Sequence, residues 1–268
     1  MSRRRVFWGL ALLVLGTLLL LQELDILRVN VWGLLIPLIL IGLGILVVWE
    51  SSHRSQTSRT ERVTIPHQGA ERGRLRIRHG AGPLTLSSGA GPTDLLTGQF
   101  AGGIAYRTGR DQDIYTLDMH APSSSPAQFI FAWPFFSNGG RIWDVRLNPT
   151  IVYALDIDGG ANLVQLDLTH LLVSELRVKT GASSAEIGLP ANAGYTRVFV
   201  QAGAASVQIE VPAQVAARIH TRGDLSGMTI DRSRFPQIGN VYQSPDYDTA
   251  PNRVDIEAQV DVGSLEIR

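Results

Sequence analysis

The chain has 268 residues but no cysteine, and Lys179 is its only lysine. Without thiols it can form neither a disulfide nor a thiolate metal site. Its formal net charge is zero, so it lacks the basic excess that is typical of nucleic-acid-binding domains. These absences exclude a disulfide-stapled scaffold and argue against a nucleic-acid partner.

The sequence also has few residues in patterns that carry catalysis. No HExxH or GxSxG motif occurs, and the histidines have no metal-ligand spacing: His53, His67, His79, His120, His170 and His220. Residues 80–83 and 89–92 are glycine-rich, but they lack the lysine of a phosphate-binding loop, so we interpret them as turns. Asp156 and Asp158 share one strand face, which favours a solvated face over a cation site. We predict a chain that is not an enzyme and has no metal or cofactor.

Two long uncharged runs lie near the N-terminus. Residues 6–22 and 31–49 carry no charge, and each is close to the ~20 residues with which a helix crosses a bilayer. Only residues 23–30 separate them, so residues 1–50 are predicted to form a transmembrane helical hairpin. A cleaved signal peptide is the alternative for the first run. No small-residue cleavage site follows that run, and the second run comes at once, which favours the hairpin.

The distribution of arginine predicts the orientation of this hairpin. The arginines outside the two spans are Arg3, Arg4 and Arg5 before the first and Arg54, Arg59 and Arg62 after the second. The connecting loop holds only Arg28, together with Glu23 and Asp25. Because basic residues stay on the cytoplasmic side, we expect both ends of the hairpin, and the domain that follows, to be cytoplasmic. Residues 51–62 are rich in Ser, Thr and Arg and are predicted to be a linker.

The rest of the chain, residues 63–268, contains an internal repeat. Residues 176–190 recur as residues 198–212, 22 positions later, and residues 155–168 form a copy 21 positions earlier. Apolar and polar residues alternate in each copy, which predicts strands with one buried face. A central glycine predicts a turn with positive φ or close backbone approach. Proline closes the later copies, since it cannot donate to a strand ladder.

A repeat of about 20–22 residues is typical of a solenoid. One copy cannot bury its own apolar face, so stacked copies, here called rungs, must share a core. We therefore predict an all-β solenoid, with an early rung at residues 75–86 and a weaker one at 219–230. Residues 235–251 are predicted to leave the stack and cover its end. An antiparallel sandwich remains the alternative, because it also has regular short strands.

One aromatic cluster lies outside the uncharged runs: Phe129, Phe131, Trp133, Phe135 and Phe136. Exposed apolar patches of this kind mark contacts with partners or membranes. A plug that packs between the early and central rungs is the other interpretation. These five residues are the candidate contact site.

The assembled pattern resembles LiaF-like cell-envelope stress proteins. The residues that carry the resemblance in the hairpin are Phe7-Trp8-Gly9-Leu10, Leu24-Asp25-Ile26-Leu27, Trp32, Leu35-Ile36-Pro37-Leu38-Ile39-Leu40 and Gly42. Those in the β region, which is similar to a toast-rack solenoid, are Trp143, Leu147-Asn148-Pro149, Leu166-Asp167-Leu168, Gly181 and Gly203 with their closing prolines.

The resemblance implies a regulatory role. LiaF-type proteins hold a membrane sensor kinase inactive until the envelope is perturbed, so we expect a non-enzymatic, membrane-anchored regulator or scaffold whose partner is a membrane sensor. A homo-oligomer is a further expected assembly. The alternative function is a structural or adhesive solenoid on the extracytoplasmic face.

Overall fold

Alternation of apolar and polar side chains produces strands throughout the part of the chain that the structure describes. The computed structural model describes residues 60–122, 142–161, 163–222 and 227–268. The strands within these ranges are β1 Thr60–Pro66, β2 Arg72–Ala81, β3 Leu84–Ser88, β4 Asp94–Ala101, β5 Ala105–Asp111, β6 Ile114–His120, β7 Trp143–Leu147, β8 Val152–Ala161, β9 Leu163–Asp167, β10 Leu172–Gly188, β11 Tyr195–Glu210, β12 Ala216–Arg222, β13 Gly227–Ile230, β14 Gln237–Ile238, β15 Val241–Gln243 and β16 Arg253–Ile267.

The repeats stack in parallel, as the solenoid prediction requires. β10 and β11 pair in parallel over almost their whole length, with Leu176 opposite Val198 and Ile187 opposite Ile209. β8 and β9 pair with the two halves of β10 in the same direction. This parallel stacking confirms the solenoid and excludes the antiparallel sandwich for the central rungs.

Each rung contributes to two sheets, because the long strands bend near their middle. The first sheet has the order β5–β6–β2–β8–β10–β11–β16–β12–β15–β14, and the second has the order β1–β4–β7–β3–β9–β10–β11–β16–β13. The inward side chains of both sheets form one buried apolar cluster. A rung is therefore a bent strand, or a pair of strands, whose two halves face each other across the core.

Close backbone approach explains the glycine at the bend. A Cβ on Gly160 would lie 2.4 Å from the Gly80 carbonyl oxygen, and one on Gly181 would lie 3.0 Å from that of Gly160. A Cβ on Gly203 would lie 3.2 Å from the Gly181 oxygen. None of these three glycines has positive φ. Of the two reasons predicted for this glycine, backbone approach is the one that applies.

The order of the rungs in space differs from their order in the sequence. β16, the last strand, lies between β11 and β12, so it separates the weak copy at residues 219–230 from the central copies. In space Ile219 stands opposite Ile256, and Ile230 stands opposite Ile267. Self-similarity identifies rungs but carries no information about which rungs touch, so this insertion could not be predicted.

Antiparallel strands complete the edges of both sheets. β15 and β14 cover β12, which confirms the predicted excursion at residues 235–251. β5 pairs with β6 at the edge of the first sheet, although its sequence is largely polar. β5 is exposed along its length, so the apolar alternation that marks a strand is absent from it. β1 begins at Thr60, inside the range predicted as linker.

Several predictions lie outside the described residues. These are the hairpin at residues 1–50, most of the linker and the aromatic cluster at residues 129–136. Within the described ranges, no helix has the length and hydropathy that a membrane crossing needs.

Candidate functional site

The outer side of the first sheet, here called the first face, carries rows of charged residues that run across the strands. In one row the cross-strand neighbours are, in order, Arg107, Asp118, Arg76, Asp156, Arg177, Phe199, Glu257 and His220. Opposite charges on neighbouring strands stabilise a sheet.

Several of these neighbours form ion pairs. Arg76 Nε lies 2.9 Å from Asp156 Oδ2, and Arg78 donates to both Asp118 oxygens at 2.8 Å. The hydrogen bonds to Asp118 raise the pKa of Arg78. Because the members of these pairs are partly exposed, each pair contributes little to the stability of the fold. Asp156 and Asp158 lie on this face as predicted, with arginines of β2 as neighbours.

Basic side chains outnumber acidic ones on the first face. The basic residues are Arg72, Arg74, Arg76, Arg78, Arg107, Arg177, Lys179, Arg197, Arg218, Arg222 and Arg253, and the acidic residues are Asp111, Asp118, Asp156, Asp158, Glu175, Asp255 and Glu257.

The outer side of the second sheet, here called the second face, has the opposite balance. Its charged residues are Arg62, Arg146 and Arg268 against Asp144, Asp167, Glu186, Glu210 and Glu266. The zero net charge therefore conceals two faces of opposite sign. A protein with such faces can present a basic surface to one partner while remaining neutral overall.

Three outward residues of β11 form the most aromatic part of the first face: Tyr195, Arg197 and Phe199, here called the β11 stripe. Hydrogen bonds at the start of the strand set its register with β16, since Arg253 N donates to Gly194 O and Gly194 N donates to Asn252 Oδ1. Tyr195 then stands opposite Arg253. Alternate residues of a strand share a face, so all three stripe side chains point outward.

Arginine side chains lie near both aromatic rings of the stripe. The guanidinium carbons of Arg253 and Arg197 lie 5.8 and 6.0 Å from the centre of the Tyr195 ring. Arg177 lies 5.2 Å from the centre of the Phe199 ring. These distances are within the range of cation–π attraction. Arginine and tyrosine are also enriched among the residues that contribute most to protein–protein binding.

Asp255 links the stripe to the end of the solenoid. Tyr195 Oη donates to Asp255 Oδ2 at 2.7 Å. Tyr247 packs on Ala216, with Arg218 4.0 Å above its ring centre. Burial raises the pKa of Tyr247, and its hydrogen bond to Asp255 raises it further. Both tyrosines hydrogen-bond to Asp255, so the aromatic side chains here are held in place.

Both faces have an open groove. A groove of about 480 Å³ on the first face is lined by Arg74, Arg76, Thr116, Asp118, Ala154, Leu155, Asp156, Glu175 and Arg177. Another of about 610 Å³ on the second face is lined by Thr85, Gln165, Leu166, Asp167, Thr169, Glu186, Ile187, Gly188, Gln208, Glu210 and Arg268. Among the described residues, no group of His, Asp and Glu is arranged to hold a metal ion. Open, charged grooves of this kind suit contact with a macromolecule better than enclosure of a small molecule.

The first face as a whole was not predicted as a candidate site from the sequence. The predicted contact residues, Phe129 to Phe136, lie outside the described residues, so that prediction stays untested. A signal for the β11 stripe was present, because Tyr195, Arg197 and Phe199 occupy the polar positions of a repeat. Two aromatic residues at solvent-facing positions of one strand are unusual there, and alignment of the repeats would have shown them.

Comparisons with known proteins agree with this architecture. A family model for the N-terminal domain of toast_rack, DUF2154, matches residues 53–210, and a model for the LiaF transmembrane domain matches residues 2–59. No curated protein matches the chain. A crystal structure from Clostridium sporogenes, provisionally described as a cell adhesion protein, aligns with a TM-score of 0.70 and 18% identity, over 78% of this chain and 98% of that chain. At this identity the likeness concerns the fold.

Proposed function

This chain belongs to the toast-rack family and is anchored in a membrane through a LiaF-type transmembrane domain, and we propose that it regulates envelope-stress signalling. In this proposal it acts without catalysis, by lateral contact with a membrane sensor protein. The observation that carries the proposal is the joining of a membrane anchor to a rigid β-solenoid with a charged outer face.

Two physical arguments support contact as the mechanism. A solenoid provides long, regular faces that suit binding. An anchor confines such a face to the membrane plane, which raises its effective concentration toward other membrane proteins. The arginines and aromatic residues of the first face provide a surface of the composition that partners recognise.

We propose that the β-solenoid lies on the cytoplasmic side, because arginines flank the outer ends of the two uncharged runs and basic residues stay in the cytoplasm. Protease added to intact protoplasts is then expected to leave the β-solenoid whole and to cleave it only after lysis. Cleavage without lysis would contradict this orientation.

An adhesive or structural role outside the cell is the second candidate. Its support is the C. sporogenes structure of similar fold, which is provisionally described as a cell adhesion protein. The protease experiment separates the two functions, since adhesion needs the β-solenoid outside.

Deletion of the chain tests the proposed regulation. We expect altered transcription of envelope-stress genes, both at rest and under a membrane-active antibiotic. Unchanged transcription under both conditions would contradict the proposal. Cross-linking in membranes before solubilisation would then identify the sensor through its co-purification with the wild-type chain.

A further inference from the structure

We propose that the β11 stripe and Arg253 form a docking site for a carboxylate-rich, extended segment of a partner protein. This inference rests on the proposed function, since it names the chemistry by which the β-solenoid would contact its partner. The first face supplies the site, and Tyr195 is its centre.

Two guanidinium groups of this site form no ion pair with the described carboxylates. Arg197 and Arg253 flank Tyr195, and neither has a carboxylate of the described residues within ion-pair distance. Glu175 and Asp255 are the cross-strand neighbours of Arg197, and its pKa is raised first by Tyr195 and then by these two carboxylates at longer range. Other arginines on the same face have such partners: Arg177 contacts Glu175 at 2.6 Å, and Arg222 contacts Glu257 at 3.1 Å. A planar guanidinium group binds carboxylate through two parallel N–H donors. Because neither group is held in a close ion pair, each retains N–H donors that can bind a carboxylate from outside the chain.

The site is held in position before any partner arrives. The Tyr195 hydroxyl donates to Asp255, which limits the rotation of its ring. The ring is 38% exposed, so it offers an apolar surface while its hydroxyl is already bonded. An aromatic anchor that is ordered in advance loses little side-chain entropy on binding.

The spacing of the site suits an extended segment. Tyr195, Arg197 and Phe199 lie on alternate positions of one strand, about 6.8 Å apart. Alternate side chains of an extended partner have the same spacing. Such a segment could place acidic residues beside Arg197 and Arg253 and an apolar residue near Phe199.

An anionic lipid surface fits the site less well. Asp255, Glu257 and Glu175 lie among the cations of the first face and would repel a continuous plane of negative headgroups. A protein segment can place its charges opposite individual arginines and avoid these carboxylates. Interleaved charges therefore favour specific protein contact.

Binding of a defined acidic peptide tests the inference. The full chain would be reconstituted in phosphatidylcholine nanodiscs and titrated with fluorescein-labelled decaglutamate while anisotropy is recorded. Decaglutamine is the control peptide, since it has the same length without carboxylates. We expect Arg197→Gln and Arg253→Gln each to weaken decaglutamate binding about three- to fivefold, as expected for loss of one exposed ion pair. Arg268→Gln, on the second face, is the matched control and is expected to have no effect.

Three results would overturn the inference. The first is equal binding of decaglutamate and decaglutamine. The second is an equal effect of all three arginine variants, or none from Arg197→Gln and Arg253→Gln. The third is binding of phosphatidylserine vesicles that Arg197→Gln and Arg253→Gln weaken more than they weaken decaglutamate binding, because lipid headgroups would then be the ligand of this face.

A cellular measurement separates this inference from the proposed function. Envelope-stress transcription would be compared between the deletion and the Arg197→Gln/Arg253→Gln double variant at native abundance. We expect the double variant to show most of the deletion effect. If the deletion alters transcription while the double variant behaves as wild type, the proposed function stands and the docking site is wrong.

Discussion

At the scale of single residues, the inward positions of the rungs determine stability. Ile187 and Ile209 are buried neighbours on adjacent strands. The residues that precede them, Glu186 and Gln208, are also cross-strand neighbours and point outward. Each isoleucine contacts apolar groups of the rungs above and below. A substitution at one inward position therefore also disturbs the packing of the neighbouring rungs.

Replacement of Ile187 or Ile209 by Asp is expected to destabilise the fold by at least ~3 kcal/mol, because it removes apolar packing and buries an unpaired charge. Glu186→Asp and Gln208→Asp are the matched controls and should change stability by less than ~1 kcal/mol. Chemical denaturation measures all four. Equal midpoints for the four variants would contradict the assignment of inner and outer positions.

The glycines at the bend allow a second comparison. A Cβ at position 160 would meet the Gly80 carbonyl oxygen at 2.4 Å, whereas one at position 80 would have no atom within 4 Å. We expect Gly160→Ala to destabilise the fold by ~1–3 kcal/mol through overpacking. Gly80→Ala should be neutral or slightly stabilising, since it lowers the entropy of the unfolded chain. Thermal unfolding distinguishes them, and equal effects would show that the bend relaxes freely.

Tyr153 makes stability depend on pH in the alkaline range. Its side chain is fully buried, and its hydroxyl donates to Leu95 O at 2.9 Å. Burial raises the pKa of Tyr153 above its ordinary value. Above pH ~10 the unfolded tyrosine loses its proton while the folded one keeps it, so the unfolded state is favoured as pH rises.

The corresponding prediction concerns the slope of stability against pH. Between pH ~9 and ~11, Tyr153→Phe should lose less stability than the wild type, although it is less stable at neutral pH by ~1–2 kcal/mol because Leu95 O loses a donor. Tyr106→Phe, which alters an exposed ring, should keep the wild-type slope. A wild-type slope in Tyr153→Phe would show that this phenol does not govern the alkaline loss.

At the scale of elements, the position of β16 is the main feature that the sequence could not predict. Period-two alternation predicted most central strands, including β8 to β11, because each has one buried face. The repeat also predicted which residues are equivalent. It could not place the C-terminal strand inside the stack, since the apolar pattern of residues 254–267 would suit an end rung equally well. β5 was missed because neither of its sides is buried.

Hydrogen exchange tests the position of β16. Because β16 has a parallel neighbour on each side, its central amides should be as protected as those of β11. β13 and β14 lie at sheet edges and should exchange much faster, by local opening. If β16 exchanged like β13, it would be an edge strand and the observed order of rungs would be wrong.

At the scale of the whole molecule, composition concealed the feature that bears most on function. The zero net charge excluded a generally basic protein, but the sequence analysis could not separate the basic first face from the acidic second face. That separation depends on which strand halves form each sheet, which requires the register. Recognition of the β11 stripe and Arg253 as one site also requires the register, because Arg253 reaches Tyr195 only through the pairing of β11 with β16.

The central claim is that the anchor and the β-solenoid act together in the membrane. It is tested most directly by complementation of a deletion strain at native abundance, with envelope-stress transcription as the readout. The full chain is expected to restore regulation. Residues 60–268 expressed without the anchor should complement poorly, because they lose confinement to the membrane plane. Full complementation by residues 60–268 would contradict the account.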